Sequence, residues 1–68
     1  MQFTVEYERE QDGRWIAEIM ELPGVLVYAA SPDEALAKAQ ALALRVLAER
    51  LELDAPNGEL VSIAFATA

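Results

Sequence analysis

Phe3-Thr4-Val5-Glu6-Tyr7-Glu8 alternates apolar and polar positions with a period of two, the signature of a strand with one buried and one wet face. The alternation predicts Phe3, Val5 and Tyr7 on the core side. Glu10-Gln11-Asp12-Gly13-Arg14 follows, and its Asp-Gly pair suits a hairpin because both residues tolerate positive φ. The first two strands are therefore expected to be antiparallel neighbours. Trp15–Met20 alternates again, with Trp15, Ala17 and Ile19 on one side and Ile16, Glu18 and Met20 on the other, which leaves the second side unusually apolar. Glu21-Leu22-Pro23-Gly24 interrupts the ladder, since proline lacks an N–H and Pro-Gly favours a tight turn. A third strand is predicted over Val25–Ala29.

The pattern then changes period. Ser31-Pro32-Asp33-Glu34 combines an N-cap serine, a proline at the first helical position, acids in the first turn and a glutamate three residues after the serine. A helix is predicted from here to about Leu53, where Asp54-Ala55-Pro56-Asn57-Gly58 stops it. At about 100° per residue, Ala35, Leu36, Ala39, Leu42, Ala43, Val46, Leu47 and Leu53 form one broad apolar face. Lys38, Arg45, Glu49 and Glu52 form a narrow wet face, and between the two runs a second stripe of Ala37, Ala41, Leu44, Ala48 and Leu51. A four-stranded sheet in a single layer would struggle to cover that stripe. It is a candidate oligomer contact, or simply a set of good helix formers with ordinary exposed apolar residues. Leu60–Phe65 reads as a closing strand.

Three strands, a helix and a fourth strand make a two-layer α+β sandwich. If the first three strands form a meander, the crossover helix returns the chain so that strand four runs parallel to strand one, most simply beside it. The predicted sheet is mixed and four-stranded, β-β-β-α-β with spatial order 3-2-1-4, covered by one helix. Residues 1–68 are read as one domain, with no internal repeat or linker.

Composition narrows the chemistry. The 68 residues include 12 acidic and 5 basic side chains for a net charge of −7, with no cysteine and no histidine. Disulfides, thiolates and the commonest general base and metal ligand are thus missing, and no cofactor is indicated. Phosphate affinity comes from clustered Lys and Arg, so direct nucleic-acid binding is not expected. Apolar runs fall well short of the roughly 20 residues a spanning helix needs, and Met1-Gln2-Phe3 opens straight into a strand pattern without the regions of a signal peptide. A soluble cytoplasmic chain is the expectation. Because a domain of about 60 residues buries only roughly 60% of its unfolded surface, self-association or a protein partner would help to stabilise it.

Tyr7, Asp12-Gly13, Trp15-Ile16-Ala17-Glu18, Glu21-Leu22-Pro23-Gly24 and Ser31-Pro32-Asp33-Glu34-Ala35-Leu36 occur in an order and spacing that resemble the HicB-like antitoxin family. The likeness covers about the first two-thirds of the chain, and the last third matches only in pattern. The resemblance implies a partial RNase H-like fold and a function by binding. Full-length members of such a family pair with HicA-type toxins, small basic ribonucleases, and cover the toxin's active site. Many also carry a C-terminal DNA-binding module, for which no room is expected after Phe65. A stand-alone homo-oligomeric module without a toxin partner is the alternative.

The candidate partner-binding residues are Glu6, Glu8, Glu18, Trp15, Ile16 and Met20. Glu6, Glu8, Glu10, Asp12 and Glu18 are expected to cluster on the outer sheet face and the hairpin. They serve there either as a solvated surface that keeps strands from pairing with other chains or as an acidic face that steers a basic partner. Between the large aromatics Trp15 and Tyr28, whose commoner destination is the core, Trp15 is the one expected at a rim. A metal-dependent nuclease would need carboxylates brought together on divalent ions. Glu6, Glu8 and Glu59 do not supply such a set by pattern, so no catalytic role is assigned.

Overall fold

The structure is a computed structural model that describes residues 2–53 and 62–67. Strand β1 (Gln2–Arg9), β2 (Trp15–Ile19) and β3 (Leu26–Ala29) form an antiparallel meander, helix α1 (Pro32–Leu53) follows, and β4 (Ala64–Thr67) closes the order. The sheet runs β3-β2-β1-β4, with β4 parallel to β1. This is the α+β arrangement the pattern predicted, including the return of the last strand beside the first.

The period-two alternation fixes which side chains meet the helix. Phe3 and Val5 of β1, Ala17 and Ile19 of β2 and Ala29 of β3 are buried, joined by Ala35, Ala39, Ala43 and Leu47 of α1. These helix residues recur every fourth position, one stacked above another on a single face. Three of them are fully buried alanines, so the α1 backbone lies close against the sheet, mainly over β2 and β3. On the far side Phe3 and its register partner Phe65 stack at 5.7 Å between centroids, an ordinary aromatic separation.

The turn after β2 is part of the core. The amide of Val25 donates to the carbonyl of Leu22 at 3.0 Å, and Gly24 at φ +92° supplies the left-handed position that a Pro-Gly turn of this type needs. Leu22 and Val25, on either side, are each 2% exposed. Tight closure of this turn therefore directs two large side chains inward.

Several expectations need correction. β3 starts at Leu26, because Val25 is committed to the turn. The closing strand is Ala64–Thr67, later than the span predicted from Leu60; Leu60 and Val61 lie outside the described residues. In the first hairpin only Gly13 has positive φ, and Asp12 contributes instead through its side chain, accepting the Arg14 amide at 3.0 Å. Leu53 is 76% exposed, since the last turn of α1 carries no buried residue. The N-cap holds in half: the Glu34 amide donates to Ser31 Oγ at 3.2 Å, while the Glu34 carboxylate turns to Lys38 at 3.3 Å.

Candidate functional site: the open face of the sheet

The face of the sheet turned away from α1 carries the even-numbered residues of β1 and their partners. Glu6 stands directly opposite Glu18, Glu8 opposite Ile16, Ile16 opposite Tyr28 and Glu18 opposite Leu26. Like charges directly opposite across a pair of strands repel, and here Glu18 meets Glu6 head-on and Glu8 on the diagonal. Around these carboxylates lie Leu26 at 40% and Tyr28 at 42% exposure, with Ile16 half-buried between them. Glu6, Glu8, Ile16 and Glu18, with Tyr7, line a shallow depression of about 80 Å³. The face therefore joins negative charge to accessible apolar surface.

The expected residues divide. Glu6, Glu8, Glu18 and Ile16 share this face. Met20 continues the alternation just past β2, its amide donating to the Thr4 carbonyl at 3.0 Å, and is 47% exposed. Trp15 does not join them: it points to the opposite side, packed against the core beneath the helix, because an odd residue of β2 shares its face with Ala17 and Ile19. The aromatic left in the open is Tyr28. Its signal was present in Leu26–Ala29, where Ala29 is buried and Val27 packs against the core, so that Leu26 and Tyr28 face outward.

The acidic cluster is also smaller than expected. At the hairpin Asp12 is occupied by Arg14, its Oδ2 accepting from Nε at 2.7 Å, and the same guanidinium lies 4.6 Å from the centroid of the Tyr28 ring, within cation–π range. The amide and guanidinium of Arg14 hold the Asp12 carboxyl below its usual range. An open depression of about 470 Å³ at this end is lined by both signs, Glu8, Glu10 and Asp12 with Arg9 and Arg14. Of the two cations at this corner, Arg14 is already paired with Asp12 and Tyr28.

Beside Met20, Glu21 ties the turn to β1. Its two oxygens accept from the Thr4 amide at 2.7 Å and the Thr4 hydroxyl at 2.8 Å, and those bonds, the amide's first, lower its pKa. On the core side, burial first and the nearby Asp33 charge second raise the Tyr7 hydroxyl. Among the described residues no three carboxylates gather so as to hold a metal ion.

The second candidate surface is the outer side of α1. Ala37, Ala41, Leu44, Ala48 and Leu51 are all exposed there, Leu44 by 47% and Leu51 by 36%. No helix among the described residues is long and apolar enough to cross a membrane. No family model, curated protein or solved structure matches the chain.

Proposed function

We propose that this chain is an antitoxin-like, HicB-like binding module of the cytoplasm that neutralises a small basic ribonuclease of the HicA type by masking it with the open face of its sheet. The observation that carries this is the placement of Glu6, Glu8 and Glu18 together on one face with Ile16, Leu26 and Tyr28. A repulsive pair of carboxylates held across adjacent strands lowers the stability of the free chain and is relieved when a cation docks between them. Apolar surface beside them, toward β3, then supplies contact area, while complementary charge speeds encounter and sets specificity. The role is binding, without catalysis or a cofactor, and the fold relation is to the partial RNase H-like arrangement of that family.

The test is capture by the tagged chain at low and then high salt, with bound proteins identified by mass and any small basic protein assayed for ribonuclease activity with and without the chain. One basic ribonuclease, inhibited by the chain, released by salt and lost on Glu6→Lys or Glu18→Lys, is the expected result. Recovery of the chain alone would overturn the proposal and favour a stand-alone homo-oligomer, which the exposed stripe of α1 supports as the second reading.

A further inference from the structure

We infer that the outer side of α1 is a short antiparallel coiled-coil seam through which two copies of this chain pair. Ala37, Ala41, Leu44, Ala48 and Leu51 are separated by four, three, four and three residues. That is the alternation that keeps an apolar line facing a partner helix. All of them are exposed, and they lie opposite the Ala35, Ala39, Ala43 and Leu47 row that meets the sheet. The helix thus has two apolar faces, of which the fold covers one.

Order along the seam decides the orientation. A two-fold axis crossing the helix at the level of Val46 sets Ala41 opposite Leu51 of the second copy and Leu44 opposite its Ala48. Each of the four layers so formed joins one leucine to one alanine, so the helices approach evenly, and Ala37 lies beyond the last layer. A parallel pair would stack leucine on leucine and alanine on alanine, alternating crowded layers with gaps. The charged flank agrees with the antiparallel choice. Lys38 and Arg45 precede Glu49 and Glu52 on the same edge, so reversal of one helix brings the basic half of each edge toward the acidic half of the other. Lys38 meets Glu52 of the second copy on both sides of the axis, while Arg45, next to the axis, lies beside Arg45 of the second copy and stays extended into solvent. The Lys38 ammonium already touches Glu34 at 3.3 Å and the Tyr28 carbonyl at 3.4 Å, and an ammonium has a third donor to offer.

Charge also says why the second copy takes this face and not the sheet. Two open sheet faces brought together would set Glu6, Glu8 and Glu18 against their own kind, whereas the helix edge joins Lys38 to Glu52 twice across the axis. The seam is independent of the proposed ribonuclease partner and leaves the open face free.

A contact confined to one helix is smaller than the roughly 800 Å² per partner of a standard interface, so pairing is weak and the measurement must reach high concentration. The experiment is the molar mass of the purified chain alone, by light scattering and sedimentation from about 1 μM to about 1 mM, the micromolar-to-millimolar range of weak complexes. The expected mass rises from 7.5 kDa toward twice that value. Leu44→Glu, at an exposed position, should keep the circular dichroism of the folded chain and weaken association by about 100-fold, since each dimer loses two leucine contacts. Lys38→Glu should weaken it and Lys38→Glu with Glu52→Lys should restore it, a rescue that a merely structural role would not produce. A chain that stays at 7.5 kDa throughout, a dimer indifferent to Leu44→Glu, or the absence of rescue would overturn the seam.

Discussion

Replacing Glu18 by lysine should make the isolated chain more stable. Glu18 faces Glu6 directly and Glu8 diagonally across β1 and β2, positions whose Cβ atoms lie roughly 5 Å and 7–8 Å apart in such sheets. In water two unit charges at those distances repel by about 0.8 and 0.5 kcal/mol, and screening at 0.1 M salt roughly halves both. Neutralising Glu18 with glutamine therefore stabilises by about 0.5 kcal/mol, and reversing it by about 1 kcal/mol, because the repulsion becomes attraction of similar size. For a domain of this length 1 kcal/mol raises the midpoint of thermal unfolding by about 5 °C. The assay is thermal unfolding followed by circular dichroism, at about 0.02, 0.1 and 1 M salt, where the screening length falls from over 10 Å to about 3 Å. The order of midpoints should be Glu18→Lys above Glu18→Gln above the unchanged chain at low salt, converging at 1 M. A destabilised Glu18→Lys at low salt, or a gain that survives 1 M salt, would refute the electrostatic account of this face. The same substitution that strengthens the free chain should abolish capture of a basic partner, a trade of stability for function of the kind binding sites display.

Other substitutions probe the scaffold. Ser31→Ala removes the oxygen that accepts the Glu34 amide and should cost about 1 kcal/mol; urea unfolding checks this, and an unchanged midpoint would show the cap idle. Ala39→Leu forces extra methyl groups into a fully buried helix–sheet contact and should destabilise by about 1–3 kcal/mol, whereas Ala41→Leu on the exposed side of the same helix should leave the unfolding of dilute, monomeric chain within about 0.5 kcal/mol. Glu21 has its folded pKa lowered by Thr4, so the folded state binds fewer protons there than the unfolded state. Its contribution is therefore present above the unfolded glutamate value of about 4.3 and is lost as pH falls through the carboxylate range. Glu21→Ala should accordingly be less stable than the unchanged chain at pH 7, with the difference shrinking by about pH 2, and a constant difference across pH would count against the linkage.

Local chemistry decided much of this molecule. Period-two alternation in Phe3–Glu8 and Trp15–Ile19 settles which side chains enter the core, because successive residues of a strand must face opposite ways. Ser31-Pro32 starts the helix because it satisfies and pre-shapes the first turn, and the handedness of the crossover brings β4 beside β1. The first two are short-range constraints that the residues announce, and the third is a general rule of chain connection that needs only the order of elements. Register, helix placement and orientation were decided only by tertiary structure. Composition does not distinguish Ala35, Ala39 and Ala43, which are buried, from Ala37, Ala41 and Ala48, which are exposed; the helical period already sorts them into two faces, and the docking of α1 on β2 and β3 decides how closely the first set packs. Alternation already set Trp15 apart from Ile16 and Glu18, yet which aromatic stays uncovered depends on where the helix lies, and that choice exposes Tyr28. The confrontation of Glu6 with Glu18 follows from a pairing register set by the turns and by burial of Val5, Ala17 and Ile19. A one-residue slip would turn every one of those side chains to the wrong face, so the hydrophobic core, through contacts distant in the chain, sets Glu6 and Glu18 at opposite positions of the ladder.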